Sequence, residues 1–546
     1  VSEVKLSGAG ATTITVNENS KLVLAKDQAS VVVANIDNAK GTLTTGTLLL
    51  DVNASQTGFV TTDAKVDTVI LNAGTKAANG NATVTMANLD LNAKTNTLVI
   101  QGANDLTLSK LTLDATTADV VSAATMTGKL TVTNTVGTGD ATLTLGSNDD
   151  SITSGAGATG KLTIHANGGN DKISIASAAA DSIVNGGDGD DTITGNAAGA
   201  TLNGDAGNDT IKFTGTFNNG NTVNTGAGDD YVYFNQTSNV KLDLGDGDNQ
   251  AHFNGEMKGS IKASSGNDEV RIKQSINKAD IDLGTGDNKL YIKNISNGNN
   301  GNNGEIKFGD GSDKLVIDGS ADNTNISLGS GNNIVSIKGN YGGTITSEDG
   351  NDTIIIGGNI NNQNSKINTG AGNDFVQIHG EIKNQFRKVD LGEGDDGFRY
   401  EPTNWNAGNQ NAIDGGKGFD TLYLKGNSTD YYVYTKDENL GKQYGTLHVN
   451  GGSIYMISWE NFAKLNEDSE GFAQKEFYIT KSSNNTNMAL KVTNFESISF
   501  DDKTFGVKEE TSTVFKYDIS LSAQLTDTDG SEKLSDVTLK NIPEGS

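Results

Sequence analysis

The chain has no cysteine, only 2 prolines and 4 histidines in 546 residues, and 6% aromatic content. Without cysteine no disulfide can staple it, so stability outside a cell has to come from another source. It has no run of about 18 apolar residues, which excludes a membrane-spanning helix. Hydrophobic residues make up 34% of the chain, less than a compact helical or doubly wound domain usually carries. Positive charge is also short. Against 68 Asp and Glu stand 41 Lys and Arg, a net charge of -27, which repels nucleic acid and anionic membranes and suits a cation as partner. The chain starts at Val1 with neither Met nor a signal-peptide pattern, and "DVTLKNIPEGS" stops in mid-pattern. Both ends read as those of a piece of a longer protein.

What the chain does have is glycine, 68 of them, together with Asn, Asp, Ser and Thr. That composition alone would fit disorder. Regular β-branched alternation, as in "TLTLGSNDDSIT" and "DTIIIGG", argues for strands instead. The glycine is also ordered along the chain. "GGDGDDTIT", residues 186–194, recurs with its last acidic or amide residue at Asp150, Asp171, Asp191, Asp209, Asp230, Asn249, Asp268, Asn288, Asp313, Asn333, Asp352, Asp374, Asp396 and Asp420. These fourteen anchors lie 18 to 25 residues apart, a period that signals a solenoid of stacked coils. Apolar residues fall two positions after each anchor and seven before it, and with few exceptions four after it, as Ile193, Leu202 and Phe213 do. Each coil is therefore expected to hold two short strands with inward aliphatic residues. One turn is the fixed Gly-Asp loop. The other varies in length and is Asn/Gly-rich, as in "SNGNNGNNGE" and "GGNINNQNSK", and is expected to be the tolerant, solvent-facing side.

A core this narrow does not offset the ordering cost of so much glycine, so the fixed loops need a ligand. Glycine lets backbone carbonyls converge, each anchor adds a side-chain oxygen, and the next coil lies about 5 Å away. An all-oxygen shell between neighbouring loops suits Ca²⁺. His165, His252, His379 and His448 are scattered along the chain, so zinc has no ligand set. Fourteen loops leave thirteen gaps, and thirteen divalent ions would nearly cancel the charge of -27. The expectation is roughly 10–13 Ca²⁺ in one row, with the sites at Asn249, Asn288 and Asn333 weakened. Two other readings of the loop fit less well. A phosphate cradle lacks the lysine and hydroxyl of a P-loop and is followed by strand, not helix. A glycine-rich solenoid with decorative surface charge leaves the placement of the Asp unexplained.

"GGDGDDTIT", "GDAGNDTIK" and "GGKGFDTLY" resemble the nonapeptide of RTX proteins, the calcium-binding β-rolls exported by type I secretion. The resemblance spans about residues 145–425 and implies a secreted protein of the bacterial cell surface that folds on meeting extracellular calcium. Typical RTX rolls carry the nonapeptide at both turns of a coil. This chain carries it at one, so a single row of ions with a bare opposite edge is expected.

The fold class expected is all-β: a parallel β-solenoid or β-roll with one row of Ca-binding turns, a β-rich cap, and the start of an Ig- or cadherin-like sandwich. Residues 1–145, with "TTITV", "KLVLA" and "DTVILNAG", read as a calcium-free solenoid, and 146–420 as the calcium-binding roll. Such Thr/Ala/Val-rich repeats leading into RTX repeats resemble bacterial S-layer proteins. Residues 421–507 read as hairpins of a cap whose aromatic residues, Tyr431, Tyr432, Tyr434, Trp459 and Phe462, form a core. Residues 508–546 read as a linker and first strands resembling the repeats of large adhesins. There Asp527, Asp529 and Glu532 form either an interdomain calcium site or an ordinary acidic turn.

No catalytic constellation stands out: there is no G-x-S-x-G, no H-E-x-x-H, and each His is alone. The expected role is a non-enzymatic, calcium-binding surface protein, an S-layer subunit or adhesin stalk. Its partners are calcium, and self-association or a cell-surface glycan. The alternatives are the RTX module of a secreted polysaccharide lyase or epimerase, or of a toxin. A lyase needs Tyr, Lys, Asp and Arg on one face, and residues 1–145 contain no Tyr, His or Arg.

Overall fold

A computed structural model describes residues 3–506 apart from short stretches within them, the longest at 38–46, 75–81, 296–303, 406–411, 466–474 and 482–488. The expected linker and sandwich at 508–546 lie outside the described residues, with Asp527, Asp529 and Glu532.

Each coil gives one strand to each of two parallel sheets. In the first sheet Leu162–His165 pairs with Ala141–Thr144 before it and Ile183–Asp188 after it. In the second, Lys172–Ile175 pairs with Ser151–Ser154 and Thr192–Gly195. The same pairing runs from Glu3–Leu6 to the last coils without a change of sheet. Parallel pairing in register places like residues over like, so each inward column is one continuous apolar stack. Ile152, Ile173, Ile193 and Ile211 form part of one column, and Leu242, Ile261, Ile281 and Ile306 part of another; all are buried. Phe213, Phe234 and Phe253 stack face to face, with ring centroids 4.8 and 4.6 Å apart.

The variable half of the coil is less open than its sequence suggests. Ala321–Asp322 pairs in parallel with Tyr341–Gly342, and Tyr341 bridges to Ile360, which bridges to Ile382. Ala321, Tyr341, Ile360 and Ile382 are all buried, so these coils close over a third apolar column. Its rim explains the asparagine. Ser320 N–H donates to Asn294 Oδ1, Asn340 N–H to Ser320 Oγ, Asn359 N–H to Asn340 Oδ1, and Glu381 N–H to Asn359 Oδ1, at 2.7–3.1 Å. The edge expected to be solvent-facing is thus partly a hydrogen-bonded wall.

The cap is not made of hairpins alone. Antiparallel strands Tyr432–Thr435, Gly445–Val449, Ser453–Ile457 and Phe477–Thr480 are joined by helices Glu438–Tyr444 and Trp459–Leu465. The first helix is capped by Asp437, whose carboxylate accepts from Asn439 and Leu440 N–H. In the second, "WENFAKL" places Trp459 and Phe462 one turn apart, ring centroids 5.8 Å from each other. Tyr431, Tyr434 and Phe462 are buried. After this excursion the chain returns to the solenoid. Leu490–Thr493 pairs in parallel with Ala412–Asp414, and Ser497–Ser499 with Thr421–Leu424.

Candidate metal centre: a buried Asp ladder

The fourteen anchors form one line. Asp150 N–H donates to Asp171 Oδ1, Asp171 N–H to Asp191 Oδ1, and Asp191 N–H to Asp209 Oδ1. The line continues through Asp230, Asn249, Asp268, Asn288, Asp313, Asn333, Asp352, Asp374 and Asp396 to Asp420, every bond between 2.6 and 3.1 Å. All fourteen side chains are buried, none more than 3% exposed. They point into the corner of the solenoid. The N-terminal coils confirm that this column is interior: in register with Asp150 stand Leu130, Leu106 and Val84, all buried.

The Asp and Asn residues before most anchors build a second ladder on the outside, and it runs the other way. Asn170 N–H donates to Asp149 Oδ1, Asp190 N–H to Asn170 Oδ1, and Asn208 N–H to Asp190 Oδ1, each at 2.8 Å. The doubled acid of "GGDGDDTIT" is therefore two residues with separate positions: Asp190 faces solvent and Asp191 faces in. The glycines before them are set by stacking. Gly189 has φ 126°, and a Cβ there would overlap the carbonyl oxygen of Gly169 in the preceding coil. Gly187 stands over Asn167 in the same way.

One oxygen of the inner ladder is left over. Oδ2 of Asp171, Asp191, Asp209, Asp230, Asp268, Asp313, Asp352, Asp374, Asp396 and Asp420 is buried without a hydrogen-bond partner; Asp150 Oδ2 accepts from Gly146 N–H. The asparagine coils reveal what this atom faces. Nδ2 of Asn249, Asn288 and Asn333 donates to the carbonyls of Gly247, Gly286 and Gly331, two residues back, at 2.8–3.0 Å. With Oδ1 held by a backbone N–H, the amide orientation is fixed from both ends. An aspartate in the same position sets an oxygen against that carbonyl instead. Such a corner wants a proton or a cation.

Burial accordingly pushes these carboxyls up. Asp191, Asp230 and Asp374 rise to about 6, Asp209, Asp268, Asp313 and Asp396 to about 7, and Asp171 and Asp420 to about 8. Asp150 and Asp352 shift in the same direction. The ladder N–H bonds oppose the shift without cancelling it, and carboxylates of adjacent coils add to it at Asp171, Asp209, Asp396 and Asp420.

The donor set fits calcium: carboxylate oxygens and glycine carbonyls, with no sulfur or imidazole. Among the described residues no three His, Cys, Asp or Glu side chains converge on one point, so backbone carbonyls have to complete any shell. Bound there, calcium would neutralise the buried charge and tie coil to coil. The asparagine anchors differ, because they present N–H to the pocket and already satisfy its carbonyl. Anchors alternate from Asp230 to Asp352, with Asn249, Asn288 and Asn333 between acids, while 150–230 and 352–420 are all acid. The residue five before each anchor follows the same division. Leu244, Leu283 and Leu328 precede the three Asn and are buried. Gly186 and Gly204 precede Asp191 and Asp209, and a Cβ on either would strike the free Oδ2. Leu145, Phe308 and Leu391, before Asp150, Asp313 and Asp396, depart from the rule.

Sequence reasoning missed the last rung. Asp420 N–H donates to Glu496 Oε2 at 2.8 Å, and Glu496 is itself pushed up by burial. "FESI" at 495–498 repeats "FDTL" at 419–422, and the pairs Thr421–Ser497 and Leu422–Ile498 are in register. That phrase was the available signal.

No protein-family profile matches the chain, and no curated protein matches it. Among solved structures it is similar to the X-ray crystal structure of a hyperactive, Ca2+-dependent, beta-helical antifreeze protein from an Antarctic bacterium, at 19% identity and a TM-score of 0.36, covering 66% of this chain and 94% of that chain. The fold of this chain rests on its own strand pairing.

Proposed function

We propose that this chain is a calcium-assembled structural protein of the bacterial cell surface, an S-layer subunit or the stalk of an adhesin, and that it is not an enzyme. The observation that carries the proposal is the row of buried, unpartnered Asp Oδ2 atoms along one corner. Without a counter-charge, the ionised row opposes folding, which keeps a chain extended where calcium is scarce. At millimolar calcium, sites with Kd of about 10⁻⁴–10⁻³ M fill. At ten times Kd each filled site contributes about 1.4 kcal/mol, and the contributions of a row add up. Stacking makes the assembly quasi-one-dimensional and cooperative between neighbours. Export by type I secretion belongs to the same reading, through the resemblance of the repeat.

Electron microscopy of cells bearing the full protein, with and without a calcium chelator, tests this. A surface lattice that dissolves in chelator is expected of an S-layer, and isolated fibres of an adhesin. A surface coat unchanged by chelator, or no surface protein at all, contradicts the proposal.

A further inference from the structure

The second sheet has an outward face that the calcium row does not use. In-register pairing stacks Tyr233, His252, Arg271, Tyr291 and Val316 in one column on it, and Glu269, Lys289 and Lys314 in the next. The Arg271 guanidinium lies 4.1 Å from the centre of the Tyr291 ring, and its Nε donates to Glu269. A groove of about 720 Å³ opens here, lined by Arg271, Lys273, Tyr291, Lys293, Asn294 and Asp318 among others.

The charge of this face opposes that of the chain. Its acids, Glu269 and Asp318, already face Arg271 and Lys338. Lys273, Lys289, Lys293 and Lys314 remain as surplus positive charge on a protein of net charge -27. We propose that this face binds an anionic polysaccharide, with the polymer running along the column from coil to coil. The coil repeat of about 4.8 Å is close to the length of one sugar residue. Arginine supplies a planar fork for a carboxylate or sulfate, lysines supply adjustable point charges, and the Tyr ring offers an apolar face to sugar C–H groups. An acidic peptide would use the charges but has no need of the ring. The acidic edge of a second copy is a poorer match, because its outward Asp and Asn side chains already accept from the backbone of the neighbouring coil. The inference rests on the surface-protein reading for where the polymer is met; the patch itself depends only on sheet register.

The test is binding of the full chain, in millimolar calcium, to hyaluronan and chondroitin sulfate oligosaccharides, with dextran as the uncharged control and poly-glutamate as the acidic-peptide control. Saturable binding that weakens with salt is expected for the two anionic glycans and not for dextran. The double variant Arg271→Gln/Lys293→Gln is expected to raise Kd about tenfold, while Lys172→Gln, on the same sheet several coils away, leaves it unchanged. Equal binding of dextran, equal affinity of poly-glutamate, or no effect of the double variant overturns the proposal. The β signal of the same samples is read with and without calcium. Folding that ignores calcium contradicts the calcium reading and leaves the glycan face standing; folded protein that ignores the glycans overturns the glycan face alone.

Discussion

The backbone N–H of Asp191 donates to Oδ1 of Asp209 at 2.8 Å, while Oδ2 of the same Asp209 carboxyl has no partner. From Asp171 to Asp420, half of each carboxyl is thus committed to holding two coils together, and the other half is an uncompensated buried oxygen. The dependence of this fold on its surroundings follows from that division.

Acid should substitute for calcium. The folded pKa values of about 6 to 8 along the row lie above the value of about 3.9 for an unfolded Asp. The metal-free folded state therefore holds protons that the unfolded state has released. Its stabilisation is complete below about pH 4 and is lost as pH rises through 6 to 8. In chelator, circular dichroism should show β structure melting at higher temperature at about pH 5.5 than at about pH 8.5. The opposite order would contradict the protonated row.

Asparagine should free a coil from its ion. Asp209→Asn supplies an amide N–H for the carbonyl of Gly207, as Asn249 does for Gly247. The variant is expected to gain about 1–3 kcal/mol in chelator at alkaline pH and to bind less calcium by titration calorimetry. Asn288→Asp should do the reverse in chelator. Equal metal-free melting of both variants and the parent would refute the equivalence of amide and neutralised carboxyl.

Closure of the ladder by Glu496 is separable from its charge. Glu496→Gln keeps an oxygen for the Asp420 N–H, whereas Glu496→Ala removes it. Amide exchange at Asp420 should speed up in the alanine variant and stay slow in the glutamine variant. Equal protection in both would remove Glu496 from the ladder.

Packing faults should be costly within single coils. Ile354→Ala, at a fully buried position, is expected to cost about 2–5 kcal/mol, and Gly189→Ala about 1–3 kcal/mol through its positive φ. Calcium-saturated denaturant melts check both, and an unchanged midpoint for Gly189→Ala would contradict the close stacking over Gly169.

The sequence already carried much of this. The positions of Ile193, Phe213 and Leu202 relative to their anchors repeat with the coil, so two parallel sheets were legible from one period. The anchors were legible too, because an Asp or Asn recurs there two residues after a glycine in nearly every repeat. Their division was not. That Asp190 faces out and Asp191 in depends on ladder direction, which composition does not encode. Nor did the row "GSGNN" betray that Asn333 donates where Asp352 cannot. The third column through Tyr341, Ile360 and Ile382 was hidden by loops of unequal length, which destroy the spacing that a periodic reading needs. The helix at Trp459–Leu465 was hidden because strand-like neighbours outweigh a seven-residue pattern. Glu496 was missed because 76 residues separate it from Asp420.

The most direct test is the far-ultraviolet circular dichroism of the full chain at neutral to alkaline pH, titrated with calcium from chelator to millimolar. A cooperative rise in β signal, with a midpoint at about 10⁻⁴–10⁻³ M calcium, is the expected result. A β signal in chelator equal to that in millimolar calcium would contradict it.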